Sequence, residues 1–442
     1  MFFPWANGKP LGGEMTQEVG LTRRLAGMLK VRLPELELAK VKDPRSARGK
    51  RWALESLLKA TLVGMVAGCK SLAETEALTA ELSVGMRRLL GLPRRVPDTT
   101  LRDLLEDLDP RELRYSMHAQ VKAAHRRKAL TPDGLPFGVL AMDGKSVTTD
   151  SWDGKYGQRH RHSEDQEAVG LIRTMTCALV SSKVKVCVDA IPIRASTNEM
   201  GQFRASLNAL VQAYGRLGLF QLISYDAGGC SEENADAIIE KKLDYLFAIK
   251  DSQPGIRAEL ERLLGQRPTE KAEATTVDTL SNRKTVTRRL YLIAKQPLYR
   301  WSHARTFLRV ESETLESGRV TAYENRYFIC SLESTRLTMD QWLLVVRRHW
   351  NVENQCHHTW DTAFEEDAHP WMRSHPRAIV VLKLLRRMAY NLLALFRGMT
   401  QRSDERRQTP WKTIIRWTRN ALIAATEVQL RRLLPEGNAV RS

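Results

Sequence analysis

Two aspartates, at 143 and 226, fix most of what this chain can become. Asp143 closes the run Val139-Leu140-Ala141-Met142, Asp226 closes Leu222-Ile223-Ser224-Tyr225, and a glycine follows each within two residues. Short apolar runs that end in Asp and Gly read as strands entering turns. The 83 residues from one aspartate to the other leave room for two more strands and a helix. Five strands are expected, at Phe137–Met142, Ile172–Val180, Val184–Ile193, Leu219–Tyr225 and Tyr245–Lys250. One amphipathic helix should begin near Ser196, with Glu199 as its capping-box acid. Another should begin at Ser231, with Glu232 and Glu233 in its first turn.

The resulting order is βββαβαβ, with Asp143 on the first strand and Asp226 on the fourth. That is a ribonuclease-H-like α/β arrangement, and open sheets of this kind place their sites at strand carboxyl ends. A third acid, Glu353, sits in Arg347-Arg348-His349-Trp350-Asn351-Val352-Glu353-Asn354, on a helix starting near Met339. Trp350 and Val352 predict that this segment packs inward. From Asp226 to Glu353 is 127 residues, too long for one crossover, so an inserted subdomain is required. Thr285–Ala294, Thr306–Glu311 and Arg326–Leu332 read as strands within it. Two strand-end aspartates and a helical glutamate suit two hard cations, which take oxygen ligands and activate water on a phosphodiester.

Lys and Arg outnumber Asp and Glu by 69 to 51, for a net charge of +18 and a pI near 9.8. That balance favours a polyanionic partner such as nucleic acid. The six cysteines show no C-x-x-C pair and read as reduced thiols of a cytoplasmic protein. The start of the chain lacks a signal-peptide pattern. Leu57–Gly68 is too short to span a bilayer and carries Lys59. After an arm over 1–42, residues 43–130 read as helices. Arg94 and Arg95 precede Asp98, which is expected to cap a helix whose N-terminus could receive phosphate. Two short helices around that basic turn fit either a helix-turn-helix or a plain bundle. From 397 onward the tail holds ten Lys/Arg against four Asp/Glu, a basic surface or a solvated end.

The chain resembles a DDE transposase of bacterial insertion sequences, specifically the H-repeat-associated subgroup. The matching phrases are Met142-Asp143-Gly144-Lys145, Thr197-Asn198-Glu199, Asp226-Ala227-Gly228-Gly229-Cys230, Asp244 through Lys250, Gln253-Pro254, His349 through Asn354, Asp361, and Phe364-Glu365-Glu366-Asp367-Ala368. They occur in the family's order across roughly residues 43–396. The resemblance implies that Asp143, Asp226 and Glu353 are catalytic and hold two Mg²⁺ or Mn²⁺ ions about 4 Å apart. It implies a core over 136–255 and 336–400, a β-rich insertion over 256–335, and a basic tail over 401–442. It also implies double-stranded DNA substrates, namely terminal inverted repeats and target DNA, engaged by at least a dimer in the bacterial cytoplasm, nucleoid-associated when DNA is bound.

Each residue has a plainer reading. An aspartate beside glycine is often a turn residue. His349, Glu353, His357 and Asp361 recur every four residues, which fits a zinc site or a polar face toward DNA. Lys145, Lys250 and Gln253 stand near strand ends and read as phosphate contacts. The wider superfamily carries tyrosine, arginine and lysine around its glutamate, where this chain has Val346, His349 and Trp360; Arg347 is the nearest arginine. Arg159, His160, Arg161 and His162 form a basic cluster in an expected polar loop. Trp152 or Trp301 could stack on a flipped base. A structure-specific nuclease and a non-catalytic DNA-binding remnant remain as alternatives.

Overall fold

A computed structural model describes residues 12–46, 50–161, 163–164, 167–280, 284–294, 301, 303–401 and 403–433. His162, residues 1–11 of the N-terminal arm and the end of the tail lie outside these residues. The chain divides into two compact units. One comprises residues 1–120, 360–372 and 377–442; the other comprises 121–359 and 373–376.

The first unit is helical. Gly12–Arg32 packs on Trp411–Ala424 and Glu427–Arg431, and Leu54–Val66 packs on Leu72–Glu81. The Ser71 hydroxyl accepts from Glu74 N at 3.1 Å, as expected of a cap. That helix stops at Glu81, and a separate one, Val84–Leu90, starts from the Ser83 cap. Gly91 ends it at φ 72°, a left-handed conformation that favours glycine. The unit also encloses a charge cluster. Glu366 is buried and accepts from Lys383 at 2.7 Å and from Arg387, whose guanidinium lies 3.8 Å from the Trp360 ring centroid.

The second unit is a ten-stranded mixed sheet between helices. Its strands are β1 Val139–Thr149, β2 Gly157–His160, β3 Val169–Leu179, β4 Val186–Ile193, β5 Leu222–Tyr225, β6 Asp244–Ile249, β7 Ala274–Thr279, β8 Lys284–Ala294, β9 Thr306–Glu316 and β10 Arg319–Cys330. The order is β2-β3-β1-β5-β6-β10-β9-β8-β7, with β4 also on β3. β1, β5 and β6 run parallel; the other pairings are antiparallel. Val139 through Met142 are buried on both faces, as a central strand covered on both sides requires. One cover is the helix Glu199–Tyr214, where Phe203 stacks on Tyr225. The other is Met339–His349, opened by a reciprocal cap between Thr338 and Gln341 and buried through Trp342, Leu343, Val345 and Val346.

Several expectations are corrected. β1 does not end at Asp143 but continues in register with β3 as far as Thr149, so Asp143 and Lys145 are mid-strand residues. The expected polar loop forms β2, in which Arg159 lies 5.4 Å from the Trp152 ring centroid. Asp226 therefore follows the fifth strand, not the fourth. The cap at 196 moves to Asn198, which accepts from Gly201 N at 2.9 Å, so Glu199 is the first residue of its helix. The segment expected as an insertion continues the same sheet through β6–β10 pairing. Within it, residues 319–325 are exposed on both faces of the β9–β10 ribbon. The helix Pro376–Leu395, expected in the core, belongs almost wholly to the helical unit.

All six cysteines are buried thiols outside any disulfide. Among the described residues no helix is long and apolar enough to cross a membrane.

Candidate active site

Strand register brings Asp143 and Asp226 together. Met142 pairs with Tyr225 across parallel β1 and β5, so an aspartate comes next on each strand. Tyr225 faces the Glu199–Tyr214 helix, with ring centroids 5.4 Å from Phe203. Alternation then turns both carboxyls to the opposite face, toward the segment after Met339–His349.

Asp226 is fixed by the turn that follows it. Its Oδ1 accepts from Gly228 N at 3.1 Å. Asn234 Nδ2 donates to the Gly229 carbonyl at 2.8 Å, and Gln253 Nε2 donates to the Cys230 carbonyl at 3.0 Å. Gly229 lies flat against Tyr225, where a Cβ would come within 1.9 Å of the ring.

Glu353 lies in a widened, π-helical turn, Val352–His357, closed by His358 N–H donating to the Glu353 carbonyl. Such turns are rare and concentrate at functional sites. Val352 and Cys356 are buried, so the segment packs inward as expected, but the Glu353 side chain is exposed. In the same turn, His357 Nδ1 stands 3.3 Å from Asp143 Oδ2, and its Nε2 lies 3.0 Å from Thr176 Oγ1.

Electrostatics tie the acids into one site. Burial pushes the Asp143 carboxyl up to about 8, reinforced by the negative charges of Glu353, Asp226 and Glu199, in that order. Glu199 is the acid that sequence reasoning set aside as a helix cap. Its carboxylate fills the space a side chain at 144 would need: a Cβ on Gly144 would stand 1.9 Å from Glu199 Oε1. Burial raises the proton affinity of Glu199, Asp226 adds to it, and Arg173 opposes it. The signal was present in Thr197-Asn198-Glu199, but the capping explanation absorbed it.

The proposed contact residues scatter. Lys145 is buried, 8% exposed, on the same face of β1 as Asp143. Lys250 is exposed at the end of β6. Gln253 braces the turn after Asp226 instead of standing free. Arg347 donates to Asp278 Oδ2 at 2.6 Å, the oxygen that Arg288 also reaches at 2.5 Å. His349 is corrected outright: it is 2% exposed and its Nδ1 pairs with Ser224 Oγ at 3.1 Å, so it offers nothing to DNA. Burial, with Arg326 and Lys250 nearby, lowers its pKa to about 4 and keeps it neutral. The zinc alternative falls with it, since His349 and His357 address different strands. Arg326, whose guanidinium lies 4.0 Å from the Trp350 ring centroid, had no sequence signal.

In the helical unit, Arg94 and Arg95 are exposed, with Arg94 over Trp52 and Arg95 paired to Glu76. The helix N-terminus beside them is already occupied. Its cap position is Pro97, and Asp98 N donates to Glu76 Oε2 at 2.9 Å, where phosphate was expected.

Residues 135–392 match the family described as transposase DDE domain. The chain belongs to that family of DDE transposases. Residues 36–119 match a second family, described as DDE_Tnp_1-associated. Among curated proteins, this DDE transposase is 24% identical over 271 residues to the "H repeat-associated putative transposase YhhI" of Escherichia coli strain K12. That match spans 58% of this chain and 64% of the relative's length. It is 21% identical over 364 residues to the "Putative transposase YncI" of Escherichia coli O157:H7, covering 80% of this chain and 85% of that one.

A DDE transposase is expected to work with divalent metal ions. The donor chemistry here fits such ions: carboxylate oxygens are hard ligands, and the neighbouring acids raise the proton affinity of Asp143 in a way that a cation would relieve. Among the described residues, no three His, Cys, Asp or Glu side chains already enclose an ion-sized site.

Proposed function

We propose that this chain cuts DNA at the ends of an insertion sequence and joins those ends to target DNA. Asp143, Asp226 and Glu353 would be the catalytic, metal-holding acids of a ribonuclease-H-like core formed by β4-β3-β1-β5-β6 and its covering helices. The observation that carries this reading is the Asp143 carboxyl, mid-sheet and pushed up to about 8 by burial and three neighbouring acids. Such perturbation marks functional sites more often than structural ones. Bound Mg²⁺ or Mn²⁺, held by these three acids, would supply the means to activate a water or 3′-hydroxyl and to stabilise the leaving oxygen.

The chain's own residues do the rest. β1 and β5 fix Asp143 and Asp226 side by side. Asn234 and Gln253 hold the turn that aims Asp226. Glu353, exposed at the rim, is the acid that can follow an incoming phosphodiester. Lys250 and Arg326, both near His349, would offer positive charge to the DNA backbone, together with Arg347 and Arg288, which share Asp278. We further propose that the helical region over 43–130 helps bind terminal inverted repeats, and that at least a dimer works on paired ends.

The test uses terminal-repeat DNA, target plasmid and Mg²⁺. Wild type should yield joined products, and Asp226→Ala should yield none while retaining end binding. Normal strand transfer by Asp226→Ala would overturn the assignment. Cleavage without joining would point to a structure-specific nuclease.

A further inference from the structure

The turn that presents Glu353 also presents His357, and that imidazole is placed more tightly than Glu353 itself. It is 12% exposed and the Asp143 side chain 17%. Its two nitrogens address neighbouring strands. Nδ1 stands 3.3 Å from Asp143 Oδ2 on β1, and Nε2 stands 3.0 Å from Thr176 Oγ1 on β3. Thr176 is the cross-strand partner of Asp143 and fully buried. The imidazole therefore spans one rung of the sheet at the rung that carries the first catalytic acid.

We propose that His357 is a positioning residue for Asp143, a role that rests on the active-site reading above. A carboxylate's terminal torsion is broad and roughly two-fold, so β1 fixes where Asp143 starts but not how its oxygens point. The Thr176 hydroxyl donates to Nε2. That sets the proton on Nδ1, and Nδ1–H donates to Asp143 Oδ2. One carboxylate oxygen is thereby tethered and the other aimed into the site. Partners of this outer kind tune metal affinity by about 10–100-fold when they hold a ligating group. The packing alternative, in which the ring only fills space, makes no demand on either nitrogen.

The geometry separates the two by which nitrogen a substitute retains. An asparagine amide nitrogen falls near the Nδ1 position, and a glutamine amide nitrogen falls near Nε2. With the full-length protein and Mn²⁺ alone as probe, binding is measured by calorimetry or by the paramagnetic signal of free Mn²⁺, without DNA. His357→Gln should weaken Mn²⁺ binding about 10-fold or more. His357→Asn should stay within about 3-fold of wild type, and Thr176→Val should fall between them. Combined with His357→Gln, Thr176→Val should add nothing, because both act through one carboxylate. Urea midpoints for each variant separate a positioning effect from misfolding. Equal losses in His357→Asn and His357→Gln, or wild-type Mn²⁺ affinity in His357→Gln, would overturn the role. Persistent strand transfer by Asp226→Ala would instead overturn the active-site reading itself.

Discussion

Replacing Asp143 by asparagine should abolish strand transfer and make the metal-free protein more stable. The carboxyl titrates near 3.8 when exposed and is pushed up to about 8 in the fold, so the folded state holds a proton that the unfolded chain releases. Below pH 3.8 both states are protonated and the carboxyl costs nothing. As pH rises from there toward 8, the unfolded state sheds its proton first, and stability falls by up to about 1.4 kcal/mol per pH unit. At pH 7 the accumulated cost is roughly 4 kcal/mol. The side chain is only 17% exposed, so water screens little of it. An asparagine amide has no proton to lose but must place an N–H among acids and His357, so about 2 kcal/mol of that cost should be recovered. The assay is urea unfolding in EDTA at pH 5, 6, 7 and 8, comparing midpoints at unchanged m-value. The advantage of Asp143→Asn should grow with pH. Adding Mg²⁺ should stabilise wild type and leave the variant unmoved, with about 2.7 kcal/mol expected at a hundred times the dissociation constant. A variant no more stable than wild type at pH 7, or a difference flat with pH, would refute the reasoning.

Three further outcomes follow. Glu366→Ala should cost about 3–5 kcal/mol in unfolding free energy, because it strands the buried Lys383, Arg386 and Arg387 without their carboxylate; a loss below about 1 kcal/mol would show that other groups balance them. Gly144→Ala should push the Glu199 carboxylate aside and cost about 1 kcal/mol or less because that end is flexible, and in Glu199→Ala background the same change should cost nothing, as a double-mutant cycle will read. Arg94→Ala combined with Arg95→Ala should lower affinity for terminal-repeat DNA and flatten the log–log salt dependence by up to about 2; an unchanged slope measured by fluorescence anisotropy would place the DNA elsewhere.

The sequence showed the acids more clearly than their setting. Asp143 and Asp226 were legible because an apolar run that stops at Asp-Gly is a local signal. That β1 continues through Lys145 to Thr149 was not, because its extension is held by pairing with β3, whose residues from Gly170 to Met175 no local pattern announces as partners. Glu199 was misread for a related reason. Capping is an interaction within four residues and is visible in one line of sequence, whereas the fit of Glu199 against Gly144 exists only once a helix and a strand have packed. Glu76 in the helical unit teaches the same lesson. The N-terminus at Asp98 looked open to phosphate because its partner lies 22 residues upstream. Between 256 and 335 three of the four strands were legible, while β7 and the helix Pro254–Leu264 were not, and whether strands extend an existing sheet or form their own depends on the edge left by β6, which composition does not encode.

The three acids are held with unequal precision. Asp143 is held in the β1–β3 ladder, one residue beyond the last β1–β5 pair, and lies next to an imidazole. Asp226 stands one residue past its strand, and its direction is set by a glycine amide and two side-chain amides bracing the turn. Glu353 is exposed on a widened helical turn with a buried residue before it and another three residues after it. Exposure rises along the series, since Asp143 and Asp226 are half-buried and Glu353 is exposed. A site that must receive both a highly charged duplex and divalent ions gains from this ordering. Three fully buried carboxylates would refuse to ionise together, and three exposed ones would exert little field on a phosphate. If these acids hold ions as proposed, one acid within the sheet, one at a strand end and one exposed on a helical turn would let the ligands assemble from the inside outward.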